Sequence, residues 1–387
     1  SLESDKSYEP SIGVVMDGMF LGTSSGVLLD NFDIERIEVL RGPQGTLFGK
    51  NTTGGILNVI RTPVSLTDLG VDASLTIGEF GRQDLKTVIQ VPIIEDQLGV
   101  KIFAASIEHD GHVYNTFLEK DAGGDDKLNY GFTTLWEPND QFSLKFHYEI
   151  MEDKSEQGSY VNRNRVGELA CTITQIGFDP RNGCEINAND GPNTVESDGS
   201  NFSDNEYESM IVTANYDTEN FLYTYIYSNR DMDEQNMQDF DGSPAHLLRM
   251  NFFNDWEQTS HEFRVTSQFS DKFQFIAGIY DWEADFAQRW NVYDLFYQLS
   301  RLGVPPWPFG RKGVAGYDDV DVWEDDVAGN NGQTQVTESI AVFASVDWFV
   351  TDQWTVTAGF RWTEEEKDFV GGASAPGYYP LRGEPWP

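Results

Sequence analysis

The sequence predicts an all-β protein, an antiparallel transmembrane β-barrel of about eleven strands. Three observations predict it. Apolar and polar residues alternate with period two in repeated runs between residues 70 and 368. The alternating runs are roughly 9–15 residues long, enough to cross a bilayer at a tilt. The connections between them alternate between short and long. No apolar run approaches the ~20 residues of a spanning helix. The mean hydropathy of −0.45 looks soluble, but in a barrel only alternate residues face lipid.

The strands can be justified in order. Val71, Ala73, Leu75 and Ile77 alternate with Asp72, Ser74, Thr76 and Gly78. Phe142, Leu144, Phe146, Tyr148 and Ile150 alternate with Ser143, Lys145, His147 and Glu149. Phe221, Tyr223, Tyr225 and Tyr227 share a face, as do Phe263 and Val265, and Trp354, Val356, Ala358, Phe360 and Trp362. Each run has one apolar and one polar face. The expected spans are 70–79, 84–93, 98–112, 127–137, 141–152, 206–217, 220–232, 257–269, 272–287, 336–350 and 353–368.

Short turns fall at Glu95-Asp96-Gln97, Pro138-Asn139-Asp140, Thr218-Glu219-Asn220, Ser270-Asp271-Lys272 and Thr351-Asp352-Gln353. The long loops are 113–126, 153–205, 233–256 and 288–335, with Phe80-Gly81-Arg82 as the short exception. Short turns on one side and long loops on the other is the pattern of bacterial outer-membrane barrels. A soluble β-sandwich rarely sorts its loops this way.

Residues 34–63 differ. Ile34–Leu40 and Ile56–Ile60 read as strands around a dense turn of Gly42, Pro43, Gly45, Gly49, Gly54 and Gly55. Glu35, Arg36, Glu38 and Arg41 stand among Ile34, Ile37, Val39 and Leu40, where charges need partners. A hairpin in a soluble β protein is the bland alternative. A phosphate-binding loop fails: Gln44 stands where the first glycine is required, Asn51 follows Lys50, and a strand follows in place of a helix.

This stretch, with Pro10-Ser11-Ile12-Gly13-Val14-Val15-Met16-Asp17-Gly18 before it, closely resembles the plug domain of TonB-dependent outer-membrane receptors. Ser260-His261-Glu262-Phe263-Arg264-Val265-Thr266-Ser267 resembles a barrel segment of the same family, with its Ser-x-Glu-x-Arg core. Thr337–Ala344 and Trp354–Thr363 resemble the next hairpin. The resemblance implies a plug in residues 1–65 and the N-terminal half of the barrel in 66–387. It also implies active uptake of a scarce ligand, with a ferric siderophore complex first and cobalamin or an oligosaccharide as rivals. The implied partners are outer-membrane lipid, the small iron complex and the TonB energy-coupling complex, engaged through an N-terminal box not seen here. A passive porin or surface adhesin is the alternative, but it needs no glycine-rich inserted domain. No signal peptide opens the chain, the last residues are not a strand, and an open sheet is not tolerated in lipid. The expectation is a fragment of a longer receptor, whose barrel in this family has twenty-two strands.

In the family, plug arginines pair with barrel glutamates. Arg41, of the Arg-Gly-Pro motif, is the expected plug residue and Glu262 its expected partner, with solvated lumen residues as the alternative. The loop after residue 288 carries Trp290, Tyr293, Trp307 and Trp323, candidates to stack on a ligand ring or to pack among themselves. Its acids, Asp318 to Asp326, read as a solvated loop before a Ca²⁺ site.

Cys171 and Cys184 are the only cysteines, in a polar segment. In an oxidising compartment they read as a loop-closing disulfide, in a reducing one as free thiols. His109 and His112 fall on opposite faces of a strand and make no metal pair. Neither a catalytic grouping nor a cofactor motif is evident. A net charge of −38 argues against nucleic acid as a partner.

Overall fold

The structure is a computed structural model. It describes residues 10–23, 32–160, 193–199, 201–244, 249–267, 270, 272–293 and 330–374. Among these, strands dominate and the one α-helix is a single turn, α1 (Gly45–Phe48). No helix among them is long and apolar enough to cross a membrane, which says nothing of a β-barrel.

The N-terminal part forms a four-stranded sheet ordered β2-β1-β4-β3, from β1 (Ile12–Met16), β2 (Met19–Leu21), β3 (Ile34–Arg41) and β4 (Gly55–Arg61). β1 and β2 form a hairpin in which Met16 faces Met19, so the turn is Asp17-Gly18. Both turn residues have positive φ, 49° and 94°. That is the two-residue geometry whose twist matches the flanking strands, and Asp-Gly is among the pairs that adopt it readily. β3 and β4 flank the glycine turn, as expected from their alternating apolar residues. α1 stands inside that turn and ends at Gly49, whose φ is 81°.

The second sheet has eleven antiparallel strands in sequence order: β5 (Gly70–Ile77), β6 (Gln83–Ile94), β7 (Leu98–His109), β10 (Asp125–Asn139), β11 (Phe142–Asp153), β13 (Phe202–Asp217), β14 (Phe221–Asp239), β15 (Arg249–Ser267), β16 (Phe273–Tyr293), β17 (Asn330–Thr351) and β18 (Trp354–Ser374). It is an antiparallel transmembrane barrel sheet with part of a lumenal plug. Its outward side chains are apolar and exposed: Phe263 at 40 %, Ile279 at 55 % and Phe360 at 64 %. A soluble fold would bury these. Their neighbours in sequence point to the concave side, where the small sheet sits. Three short strands, β8 (Val113–Asn115), β9 (Lys120–Ala122) and β12 (Thr194–Val195), form a separate patch in the long connections.

Six strands, β13 to β18, run further than their alternation suggested, all at the end away from the short turns. β14 reaches Asp239 against an expected 232, and β15 begins at Arg249 against an expected 257. Just before these extensions begin, one outward row is wholly acidic. Glu208, Asp231, Glu257 and Asp285 lie directly opposite one another on four neighbouring strands. With polar residues on both faces the period-two signal fades, although the backbone ladder continues. Trp290 and Tyr293, expected in a loop, consequently belong to β16.

Candidate functional site

The site is the contact between the small sheet and the concave wall. An apolar seam comes first. Val15, Phe20 and Ile56 of the small sheet pack with Met151, Tyr207, Met232, Trp256, Trp282 and Phe286 of the wall. Met19 and Leu21 pack with Ile211 and Ile226. Gly18 is needed here twice. Its φ is 94°, and a Cβ would lie 2.8 Å from the Ile226 side chain.

Around this seam lie three polar contacts. The first gathers charges at the far end of β4. Arg61 is bonded to Glu149 of β11 and to Asp17 of the β1–β2 turn, the latter at 3.4 Å. The Asp17 carboxylate also accepts the Arg61 backbone N–H at 3.2 Å and lies 3.8 Å from Lys145. Beside it, Lys101 of β7 meets Asp33 at 2.6 Å and donates to the Thr62 carbonyl at 2.6 Å, while the Thr62 hydroxyl donates to Asp33. The side chains of Arg61, Asp17, Glu149, Lys101 and Asp33 are all less than a tenth exposed. With Lys145, three cations face three carboxylates. Such a buried set is tolerated only when the charges balance and the hydrogen bonds are filled. Burial opposes the charge on Asp17, but Lys145, Arg61 and the Arg61 backbone N–H outweigh it and hold its carboxyl below the usual range. Arg61 is likewise desolvated, and Glu149 and Asp17 overcome that and raise its pKa.

The second contact is uncharged. Gln258 of β15 bonds both to the Gly22 amide and to the Phe20 carbonyl. The third seats the glycine turn on β16 to β18. Lys50 pairs with Glu365 at 3.2 Å and stands 3.7 Å from the centre of the Trp282 ring. Thr46 lies over Gly359, where a Cβ would come within 2.7 Å of it.

The expected pair of Arg41 and Glu262 does not form. Arg41 is exposed at the end of β3. Glu262 accepts from Arg264 on its own strand at 3.1 Å. No ion pair among the described residues joins the two. The glycines Gly42, Gly45, Gly49, Gly54 and Gly55 do form the turn with Pro43. Among them Gly55 has φ 142° and no room for a Cβ, which would lie 2.4 Å from the Leu40 carbonyl oxygen. Trp290 stands half-buried near the end of β16. Trp307, Trp323, Cys171 and Cys184 lie outside the described residues.

Sequence reasoning missed Arg61, Asp17, Glu149, Lys101 and Gln258. Signals existed. Asp17-Gly18 between apolar runs is a hairpin turn. The polar face of β11, Lys145, His147 and Glu149, carries three titratable groups in alternate positions. What the sequence lacked was the pairing between segments 88 residues apart.

Residues 4–56 match the family profile of the TonB-dependent receptor plug domain. The pesticin receptor of Yersinia pestis is 20 % identical over 363 residues, covering 93 % of this chain and 45 % of that protein. The crystal structure of the ferric yersiniabactin uptake receptor from Yersinia pestis superposes with a TM-score of 0.72 at 16 % identity, covering 98 % of this chain and 50 % of that one. The ferripyoverdine receptor of the Pseudomonas aeruginosa outer membrane, bound to ferripyoverdine, superposes with a TM-score of 0.64 at 12 % identity, covering 94 % and 47 %. The chain thus spans less than half the length of the curated relatives it matches. Residues 4–56 thus match the plug domain of TonB-dependent receptors, and nearly the whole chain shares the fold of solved outer-membrane receptors.

Proposed function

We propose that this chain is the working core of an energy-coupled uptake receptor, with a ferric siderophore complex as its ligand. In this reading residues 1–65 are the later part of the plug and 66–387 the first half of the barrel wall. The observation that carries it is the buried charge set around Arg61, which ties the plug to the wall without covalent bonds. A permanent seal is better made from apolar packing, because a buried ion pair loses in desolvation much of what it gains in attraction. A removable seal is better made from charges that water can reclaim one after another. The TonB complex would supply the pull. The two free edges of the large sheet, β5 and β18, would be closed by further strands, since lipid tolerates no unpaired edge.

The siderophore assignment is supported by the receptors this chain resembles, one a ferric yersiniabactin uptake receptor and one bound to ferripyoverdine. Cobalamin or an oligosaccharide is the rival ligand within the same class. The test is uptake of radiolabelled ferric siderophores by iron-starved cells, with and without the receptor and with and without the coupling complex. Uptake that requires both supports the proposal. Uptake that persists without the coupling complex returns the protein to the passive porin or adhesin reading. Growth rescue by cobalamin or an oligosaccharide in place of iron complexes replaces the ligand.

A further inference from the structure

β2 is the edge strand of the plug sheet, paired on one side with β1. At its end Gln258 stands in for a missing neighbour. The side chain points inward from β15 and is 1 % exposed. Its Oε1 accepts the Gly22 N–H at 3.0 Å, and its Nε2 donates to the Phe20 carbonyl at 2.6 Å. A carbonyl and the amide two residues on are the pair that a single residue of a parallel strand engages. The Trp256 indole N–H reaches the same Oε1 at 3.2 Å. With two donors on one side and a carbonyl on the other, only one orientation of the amide satisfies every group.

Gly22 completes the fit. A Cβ there would lie 2.5 Å from the Trp256 ring, 2.8 Å from Trp282 and 3.1 Å from Oε1. The end of β2 can therefore approach the wall only through a residue without a side chain.

We propose that Gln258 is the positioning residue of β2, an uncharged latch that holds this edge of the plug shut independently of the charge set around Arg61. It deepens the uptake reading by assigning β2 its own release step. The latch is buried and neutral, so salt screening leaves it intact, whereas ionic contacts weaken as water and ions reach them. Its geometry demands both a donor and an acceptor on one side chain. Glutamate keeps the shape and the acceptor but aims a second oxygen at the Phe20 carbonyl. Methionine keeps the approximate length and supplies no amide.

The test uses the intact receptor in native outer membranes, with Gln258→Glu, Gln258→Met and Gly22→Ala. Hydrogen exchange is read on the peptide covering 19–23 and, as control, on the glycine turn around Gly42. All three variants should speed exchange at 19–23 by about tenfold, the scale of a buried backbone group losing its partner, and leave the control unchanged. The wild-type rate at 19–23 should not change with salt. Leakage of a small antibiotic should rise in parallel. Should Gln258→Glu fail to assemble, Gln258→Met carries the same reading without a charge. Unchanged exchange at 19–23, equal acceleration across the plug, or accelerated exchange without leakage overturns the proposal. If exchange and leakage respond but no iron complex is taken up, the latch stands and the siderophore assignment falls.

Discussion

Arg41 and Arg61 close the two ends of the same strand pair: Arg41 lies opposite Gly55, and Arg61 opposite Ile34. Both are arginines at the end of an apolar strand. Arg61 is buried between Asp17 and Glu149, and Arg41 is exposed. The difference lies in what surrounds each. Around Arg61 three segments bring carboxylates together: the β1–β2 turn, the stretch before β3 and the middle of β11. A guanidinium goes under only where such groups converge, because an unmatched buried charge costs several kcal/mol. Among the described residues no acid of the wall pairs with Arg41, and Glu262, the expected one, is already engaged by Arg264. An arginine at the end of this strand pair is therefore buried and paired only where the tertiary structure supplies the acids.

The comparison can be broken most directly at Glu149. Glu149→Gln leaves Arg61 buried with Asp17 alone, and plug docking should weaken by up to ~3–5 kcal/mol. Leakage of a small antibiotic into cells should rise strongly. If leakage stays at the wild-type level, the charge set does not hold the plug. Lys101→Met removes the cation facing Asp33, whose side chain is 4 % exposed. The expected loss is about 2 kcal/mol, because the Thr62 hydroxyl still bonds Asp33. Thermal unfolding of the receptor with each variant should rank Glu149→Gln below Lys101→Met.

Acid sharpens the same contrast. The folded pKa of Asp17 is depressed, so its contribution is present above the unfolded value and is lost as pH falls through the folded one. Leakage should be flat at neutral pH and rise only below about 3.9, the ordinary aspartate value. A rise already near neutrality would point to another group. At the third contact, Lys50→Ala should cost only ~1 kcal/mol, since both Lys50 and Glu365 keep partial contact with water. Arg41→Gln and Glu262→Gln should each fall within about 0.5 kcal/mol of wild type, as exposed or locally paired charges do. Should Glu262→Gln leak as much as Glu149→Gln, the two ends of the strand pair would have to be reversed.

By itself the sequence determined the all-β class, the eleven strands of the wall, the short turns and the plug strands around the glycine turn. Each rests on a local rule. Side chains alternate across a strand, glycine takes positive φ, and lipid demands one apolar face per strand. The same rules lost the ends of β13 to β18 away from the short turns, where acids such as Asp233 and Asp255 take outward positions and the alternation fades. Only the tertiary structure decided which charges meet. Arg61 finds Glu149 across 88 residues, and Gln258 reaches the Phe20 carbonyl across 238. No periodicity encodes such pairs. They follow from where the plug sheet comes to rest against the wall, a position set by the summed packing of Phe20, Ile56, Trp256 and Trp282. Individual polar partners then follow from that position, within the few ångströms over which a hydrogen bond acts.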